Sequence, residues 1–73
     1  MFCFHSSIGD IYIAMLRNGM FGLFYRGICY DMAPHPQILA DNVYCHATGC
    51  SDWNSCRDRG PRDLSEWLYV RLR

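Results

Sequence analysis

The sequence contains no lysine. A lysine Schiff base and a phosphate-gripping loop lysine are therefore excluded, and arginine supplies the permanent side-chain positive charge. Long apolar runs are missing as well. The longest, Ile11–Leu16 and Met20–Tyr25, hold six residues each and are split by Arg17-Asn18-Gly19. A membrane-spanning helix takes about 20 apolar residues, so none is expected. Net charge is absent, because seven arginines balance seven aspartates and glutamates. The balance is +1 over residues 1–30, −3 over residues 31–56 and +2 from Arg57 onward. That distribution lays down no strong electrostatic footprint for nucleic acid or for an anionic membrane. The first residues carry no positive side chain, Asp10 interrupts the apolar stretch, and no small-residue cleavage site follows. The expectation is a cytoplasmic protein without a secretory signal, in a reducing compartment where thiols stay free or bind metal.

What the chain does have is apolar side chain in excess of its size. Its 73 residues fit one small domain, residues 1–73, yet 51% of them are hydrophobic and 15% aromatic. A domain this small buries only about 60% of the surface its unfolded chain exposes. Some large apolar side chains must therefore stay at the surface, where such patches usually mark an interface. Small chains commonly add a disulfide, a metal or a partner subunit to close the stability gap.

Local patterns suggest an α+β domain. Ile8, Ile11, Tyr12, Met15 and Leu16 share one helical face, with Ser7 as a cap and Gly19 as a C-terminal stop. Ile11, Ile13 and Met15 also alternate, and Asn18-Gly19 is a strong hairpin turn signal. Residues 7–18 thus read as a helix with a strand as close rival. From Met20 to Met32, alternation of Phe21, Leu23 and Tyr25, then Ile28-Cys29-Tyr30, predicts a central β-hairpin turning at Arg26-Gly27. Ala33–Pro36 ends it, since proline supplies no ladder donor. A short helical turn from Gln37 and a strand around Val43-Tyr44-Cys45 are expected next, followed by an irregular Cys-bearing loop over Thr48–Gly60. Arg62–Arg73 reads as a closing amphipathic helix, opened by Asp63-x-x-Glu66 and carrying Leu64, Trp67, Leu68 and Leu72 on one face with Arg71 and Arg73 at its end. Alternation of Leu68, Val70 and Leu72 offers a strand as the rival.

The stretch Leu23–Asp31, LFYRGICYD, with Pro34 and Pro36 beyond it, resembles the YRG-hydrophobic-x-Tyr-acidic segment of a small cyanobacterial family of unknown function. In that family the segment lies near the N-terminus and prolines follow it. The resemblance covers nine of 73 residues and implies no activity and no functional residues.

Five cysteines cannot all pair internally. Cys45, His46, Cys50 and Cys56 form the set of donor types that a structural zinc ion takes, although no Cys-x-x-Cys pair is present and the spacings are loose. The plainer reading makes Cys45 a core residue and Cys50 and Cys56 loop thiols. A Cys/His nucleophile would need an oriented base and an oxyanion site inside a cleft, and no local motif of that kind is visible. His5 and His35 read as surface or packing residues. Phe21, Phe24 and Tyr25 are mainly core material for so small a chain, while a stacking platform for bases would need a positive groove. Trp53, flanked by Asp52 and Asn54, either anchors an exposed interface or folds back onto the core.

These observations lead to the expectation of a non-enzymatic protein-binding module: a small inhibitor, an adaptor or a minor subunit. It would act through an apolar aromatic face that includes Phe21, Phe24 and Tyr25, with Trp53 and the Arg-rich tail, Arg57 and Arg59, at its rim, and with another protein or further copies of itself as partner. No small-molecule substrate and no cofactor beyond the zinc ion are implied. The alternative is a zinc-stabilised domain that contacts nucleic acid through Arg57, Arg59 and Arg62.

Overall fold

The computed structural model describes residues 1–71. It is an α+β fold in which one antiparallel sheet carries helix on one face. The strands are β1 (Phe2–Ser6), β2 (Gly9–Met15), β3 (Phe21–Tyr25), β4 (Ile28–Ala33) and β5 (Leu68–Tyr69), in the order β4-β3-β2-β1-β5. Between β4 and β5 lie helix α1 (Pro36–Tyr44), a single helical turn α2 (Ser51–Asn54) and a 3-10 turn at Leu64–Glu66. Among the described residues no helix is long and apolar enough to cross a membrane.

Turn chemistry sets the register of the first four strands. Tyr25 pairs with Ile28 across a two-residue turn in which Arg26 (φ 53°) and Gly27 (φ 77°) are both left-handed. That is the turn whose twist matches a β-hairpin, and it lies where the sequence reading put it. Between β2 and β3, Gly19 (φ 80°) closes a loop in which Leu16 N–H donates to the Met20 carbonyl at 2.7 Å. The Asn18 side chain accepts from Met20 N–H at 3.0 Å.

Residues 9–15 are therefore strand, which corrects the helix expected over residues 7–18. The helical face of Ile8, Ile11, Tyr12, Met15 and Leu16 had its spacing, a Ser7 cap and a Gly19 stop to support it, but isolated helices of this length are marginal. As a strand the same segment pairs on both sides, with β1 and with β3. Ile11 and Ile13 then enter the core on one face.

The C-terminal expectation is corrected too. Asp63 and Glu66 do form the anticipated capping box, but the helix they open lasts one turn. The chain then extends, and Leu68 and Tyr69 pair with Cys3 and Phe2, covering the free edge of β1. Val70 N–H extends the ladder to the Met1 carbonyl at 2.7 Å. Leu72 and Arg73, assigned to that helix from the sequence, lie outside the described residues. In the middle of the chain, α1 continues through Tyr44 where a strand was expected around Val43-Tyr44-Cys45. Pro36 sits in its first turn, where a missing N–H costs nothing. The expected loop over Thr48–Gly60 contains α2.

The core lies between the helices and one sheet face. Ile11, Ile13, Leu23, Tyr25 and Ala33 from the strands meet Leu39, Ala40 and Val43 from α1, with Cys50, Trp53 and Trp67 closing the side. Full burial of each large aliphatic contributes about 1.5–3 kcal/mol before entropy is charged against it. The polar middle is tied down by hydrogen bonds around Thr48 and Asn54. Asn54 Oδ1 accepts from Thr48 N–H at 3.0 Å, and Asn54 Nδ2 donates to the Thr48 carbonyl at 2.7 Å. Gly49 lies against β4, donating its N–H to Asp31 at 2.8 Å. A Cβ at Gly49 would fall 2.3 Å from the Tyr30 carbonyl oxygen, so only glycine fits there.

Candidate functional site

Directly paired residues in an antiparallel sheet point to the same side. The registers therefore divide the sheet cleanly. Phe2, Phe4, Ile11, Ile13, Leu23 and Tyr25 face the helices. Cys3 with Leu68 and Tyr12, Tyr12 with Phe24, Phe24 with Cys29, and Gly22 with Ala14 and Met32 line the opposite face. Neither α1 nor α2 lies on that second face, because both pack on the side of the buried strand residues.

The helix-free face is apolar over most of its extent. Met32 is 60% exposed and Leu68 56%, while Tyr12, Ala14 and Phe24 are half-buried among their neighbours. A shallow hollow lined by Met1, Tyr12, Ala14, Phe24 and Gly27 opens on it. The Phe24 ring lies over Gly22, where an added Cβ would come within 2.9 Å of the ring edge. On the helix side, a separate apolar hollow at the end of the sheet is lined by Phe2, Met15, Phe21, Pro36 and Tyr69. The cavity inside the core, lined by Ile11, Leu23, Tyr25, Trp53 and neighbours, is about 10 Å³. That volume holds no more than a water.

One corner of the helix-free face is polar. His5 and Asp10 are direct partners across the β1–β2 hairpin, and Cys3 sits two residues before His5 on the same side. His5 Nδ1 lies 2.6 Å from Asp10 Oδ1, and the Tyr12 hydroxyl donates to Asp10 Oδ2 at 3.3 Å. The hydrogen bond from His5 holds the Asp10 carboxyl below its ordinary range. Charge on Asp10 pushes the Tyr12 hydroxyl up, and burial pushes the Cys3 thiol up. A raised thiol is protonated near neutral pH and is a poor nucleophile in that form. Among the described residues, Cys3, His5 and Asp10 are the group of three that brings metal-ligating atoms within 4.8 Å of one another.

The residues singled out from the sequence scatter. Trp53 is 1% exposed, which selects, of its two readings, the one that folds it back onto the core. Its indole N–H donates to the Val43 carbonyl at 2.8 Å, and His46 stacks on it at 4.7 Å. The end of a helix leaves carbonyls without helical partners, and the indole supplies one. Tyr25 is also interior, its hydroxyl donating to the Ile8 carbonyl at 2.7 Å. Phe21 packs at the edge of the core, and Phe24 alone of the four aromatics lies on the helix-free face. Arg57 and Arg59 are exposed in the segment after α2, and the Arg62 guanidinium lies 5.9 Å from the centre of the Tyr44 ring.

Cys45, His46, Cys50 and Cys56 are not brought together at one point. Cys45 is exposed at the end of α1, and Cys50 is buried at the start of α2. His46 Nε2 engages the Asp58 carbonyl at 2.7 Å, and Cys56 Sγ lies 3.5 Å from Ser7 Oγ. No three of these four place ligating atoms within 4.8 Å of one another. The Cys3, His5 and Asp10 cluster was missed from the sequence because its signal is a register. Cys-x-His on one strand and an aspartate across a two-residue turn become neighbours only once β1 and β2 are paired. Leu23–Asp31, the segment that resembles the cyanobacterial family, forms the end of β3, the turn and most of β4. Comparison of the whole chain with protein families, with curated proteins and with solved structures finds no match.

Proposed function

We propose that this protein is a non-enzymatic binding module whose docking surface is the helix-free face of its sheet, and that a second copy of the chain docks there. The observation that supports this reading is a contiguous apolar face, from Leu68 through Tyr12 and Phe24 to Met32, with helices covering only the other side. Antiparallel sheets commonly leave one face to water, but that face is then polar. Here the alternation places apolar residues on both sides.

The size of the face fits self-association. Four strands of five to seven residues and a two-residue edge strand, about 4.8 Å apart, present several hundred Å². Two such faces packed together approach the roughly 1,000 Å² that a specific interface needs. Tyr12, Ala14, Phe24, Met32 and Leu68 are uncharged side chains, so two copies can meet over them with Asp10 left at the corner beyond.

The test is the solution mass of the wild-type chain by sedimentation equilibrium, alongside Met32→Lys and Leu68→Lys. Both positions are more than half exposed in the protomer, so either charge should leave its fold intact while opposing association. A concentration-dependent dimer that both variants convert to monomer supports the reading. A wild-type monomer at high concentration that also fails to bind an apolar dye refutes it.

A further inference from the structure

We infer that Cys3, His5 and Asp10 form a binding site for a divalent transition metal, with zinc as the ion their chemistry suits best. The proposal is independent of whether the sheet face binds a partner, because it rests on the register of the first hairpin alone. Strand alternation puts Cys3 and His5 on the same side of β1, and direct pairing puts Asp10 opposite His5. A turn of only two residues, Ser7 and Ile8, joins the strands, so the positions are held by a short, well-paired ladder. The Ser6 side chain bonds across that turn to the Gly9 carbonyl, which stiffens it further.

The donor set is a thiol, an imidazole and a carboxylate. Zinc accepts all three, whereas calcium and magnesium take oxygen donors and have no use for the sulfur. Ligating atoms of the three residues already lie within 4.8 Å of one another. A tetrahedron with zinc bonds of about 2.0–2.3 Å sets ligand separations of about 3.3–3.7 Å. Cys3 is nearly enclosed, while His5 and Asp10 are exposed side chains whose torsions can adjust to close the set. The His5–Asp10 contact at 2.6 Å would open slightly as both turn toward the ion.

A purely structural account would make Cys3 a small core-like residue and His5–Asp10 a surface ion pair, worth little by itself. It does not account for the Tyr12 hydroxyl beside Asp10. The Tyr12 hydroxyl engages Asp10 Oδ2 while His5 engages Oδ1, so both carboxylate oxygens have a hydrogen-bond partner. Carboxylate ligands are characteristically fixed by such an outer hydrogen bond. With three protein donors, the fourth position is left to water or to a donor from another molecule.

The experiment uses the whole chain, reduced and stripped with a chelator, titrated with Co²⁺ and then with Zn²⁺. The expected result is a thiolate-to-cobalt charge-transfer absorption that saturates at one equivalent and is displaced by zinc. Cys3→Ser should abolish the band. His5→Ala, at an exposed position, should weaken binding at least tenfold without altering the far-ultraviolet circular dichroism. Tyr12→Phe should weaken it about tenfold to a hundredfold if the hydroxyl orients Asp10. Cys45→Ser and Cys56→Ser should leave the titration unchanged. Absence of the band in the wild type overturns the proposal. So does a band that survives both Cys3→Ser and His5→Ala but disappears in Cys45→Ser or Cys56→Ser, which would move the metal to the other cysteines.

Discussion

The two tryptophans provide a matched test of how this core is held. Both are nearly enclosed, Trp53 at 1% and Trp67 at 5% exposure, and both rest against Phe4, at 5.7 and 5.6 Å between ring centres. They differ at the indole nitrogen. Trp53 donates to the Val43 carbonyl at 2.8 Å, whereas Trp67 Nε1 is buried without a hydrogen-bond partner among the described residues. Replacing either by phenylalanine removes similar volume, costing about 1–2 kcal/mol as a partial cavity. Trp53→Phe also loses a hydrogen bond, at about 1 kcal/mol, since the Val43 carbonyl keeps only the longer 3.2 Å bond from His46 N–H. Trp67→Phe instead relieves an unpaired buried donor, which returns about 1–3 kcal/mol. The low ends of these ranges give a difference of about 2 kcal/mol, with Trp53→Phe the more damaging. For a domain of this size that separates the melting temperatures by about 8–16 °C. Urea unfolding followed by far-ultraviolet circular dichroism at fixed protein concentration measures it. Equal losses, or a larger loss at Trp67, would refute the assignment of the Val43 bond as the element that anchors α1 to the side of the core.

Gly49→Ala should cost about 1–3 kcal/mol or more, because its Cβ would meet a backbone oxygen 2.3 Å away rather than a movable side chain; thermal melts against wild type check this. Asp58→Ala should cost about 1 kcal/mol at neutral pH, through loss of the 2.8 Å bond from Ser7 N–H at a half-exposed site. That bond holds the Asp58 carboxyl below its ordinary value of 3.8, so its contribution is complete above that value and fades as pH falls through the lower folded-state value. The gap between wild type and Asp58→Ala in urea midpoints should accordingly be constant from neutral pH down to about 5 and close in stronger acid. Gly22→Ala should leave the fold within about 1 kcal/mol but tilt the Phe24 ring off the sheet, since the Cβ meets that ring at 2.9 Å. Weaker self-association in sedimentation, with an almost unchanged melt, is the expected signature.

How much of this was legible depends on where each signal resides. The β3–β4 hairpin could be read because Arg26-Gly27 carries its own turn chemistry and Leu23 and Tyr25 alternate beside it. The segment 9–15 could not, because Ile11 and Met15 satisfy a helical spacing and a strand spacing at once. Pairing decided it, and pairing depends on Phe2–Ser6, a segment that bears no turn residue of its own. The C-terminal capping box was read correctly at Asp63 and Glu66, yet the length of the helix beyond it was set by the open edge of β1 rather than by propensity. Trp53 illustrates the same limit for sites. Its polar neighbours Asp52 and Asn54 suggested exposure, but on a single helical turn they point away while Trp53 turns inward. Cysteine spacing does not report proximity here, because Cys45 ends α1, Cys50 precedes α2 and Cys56 lies beyond it.

One face of the sheet thus carries both proposals, and the geometry separates them. Met32 lies on the edge strand β4, while His5 and Asp10 lie at the turn end of β1 and β2, with β3 between β4 and that hairpin. Lysine at Met32 should therefore abolish association without touching cobalt affinity. Alanine at His5 should do the reverse, because it removes a donor beyond the apolar stretch. Leu68 is different, since it pairs directly with Cys3 across β1 and β5. A charge there sits beside the thiol, and Leu68→Lys should weaken both properties. If Met32→Lys lowered cobalt affinity as much as Leu68→Lys does, the two functions would share one surface, and the division drawn from strand order would be wrong.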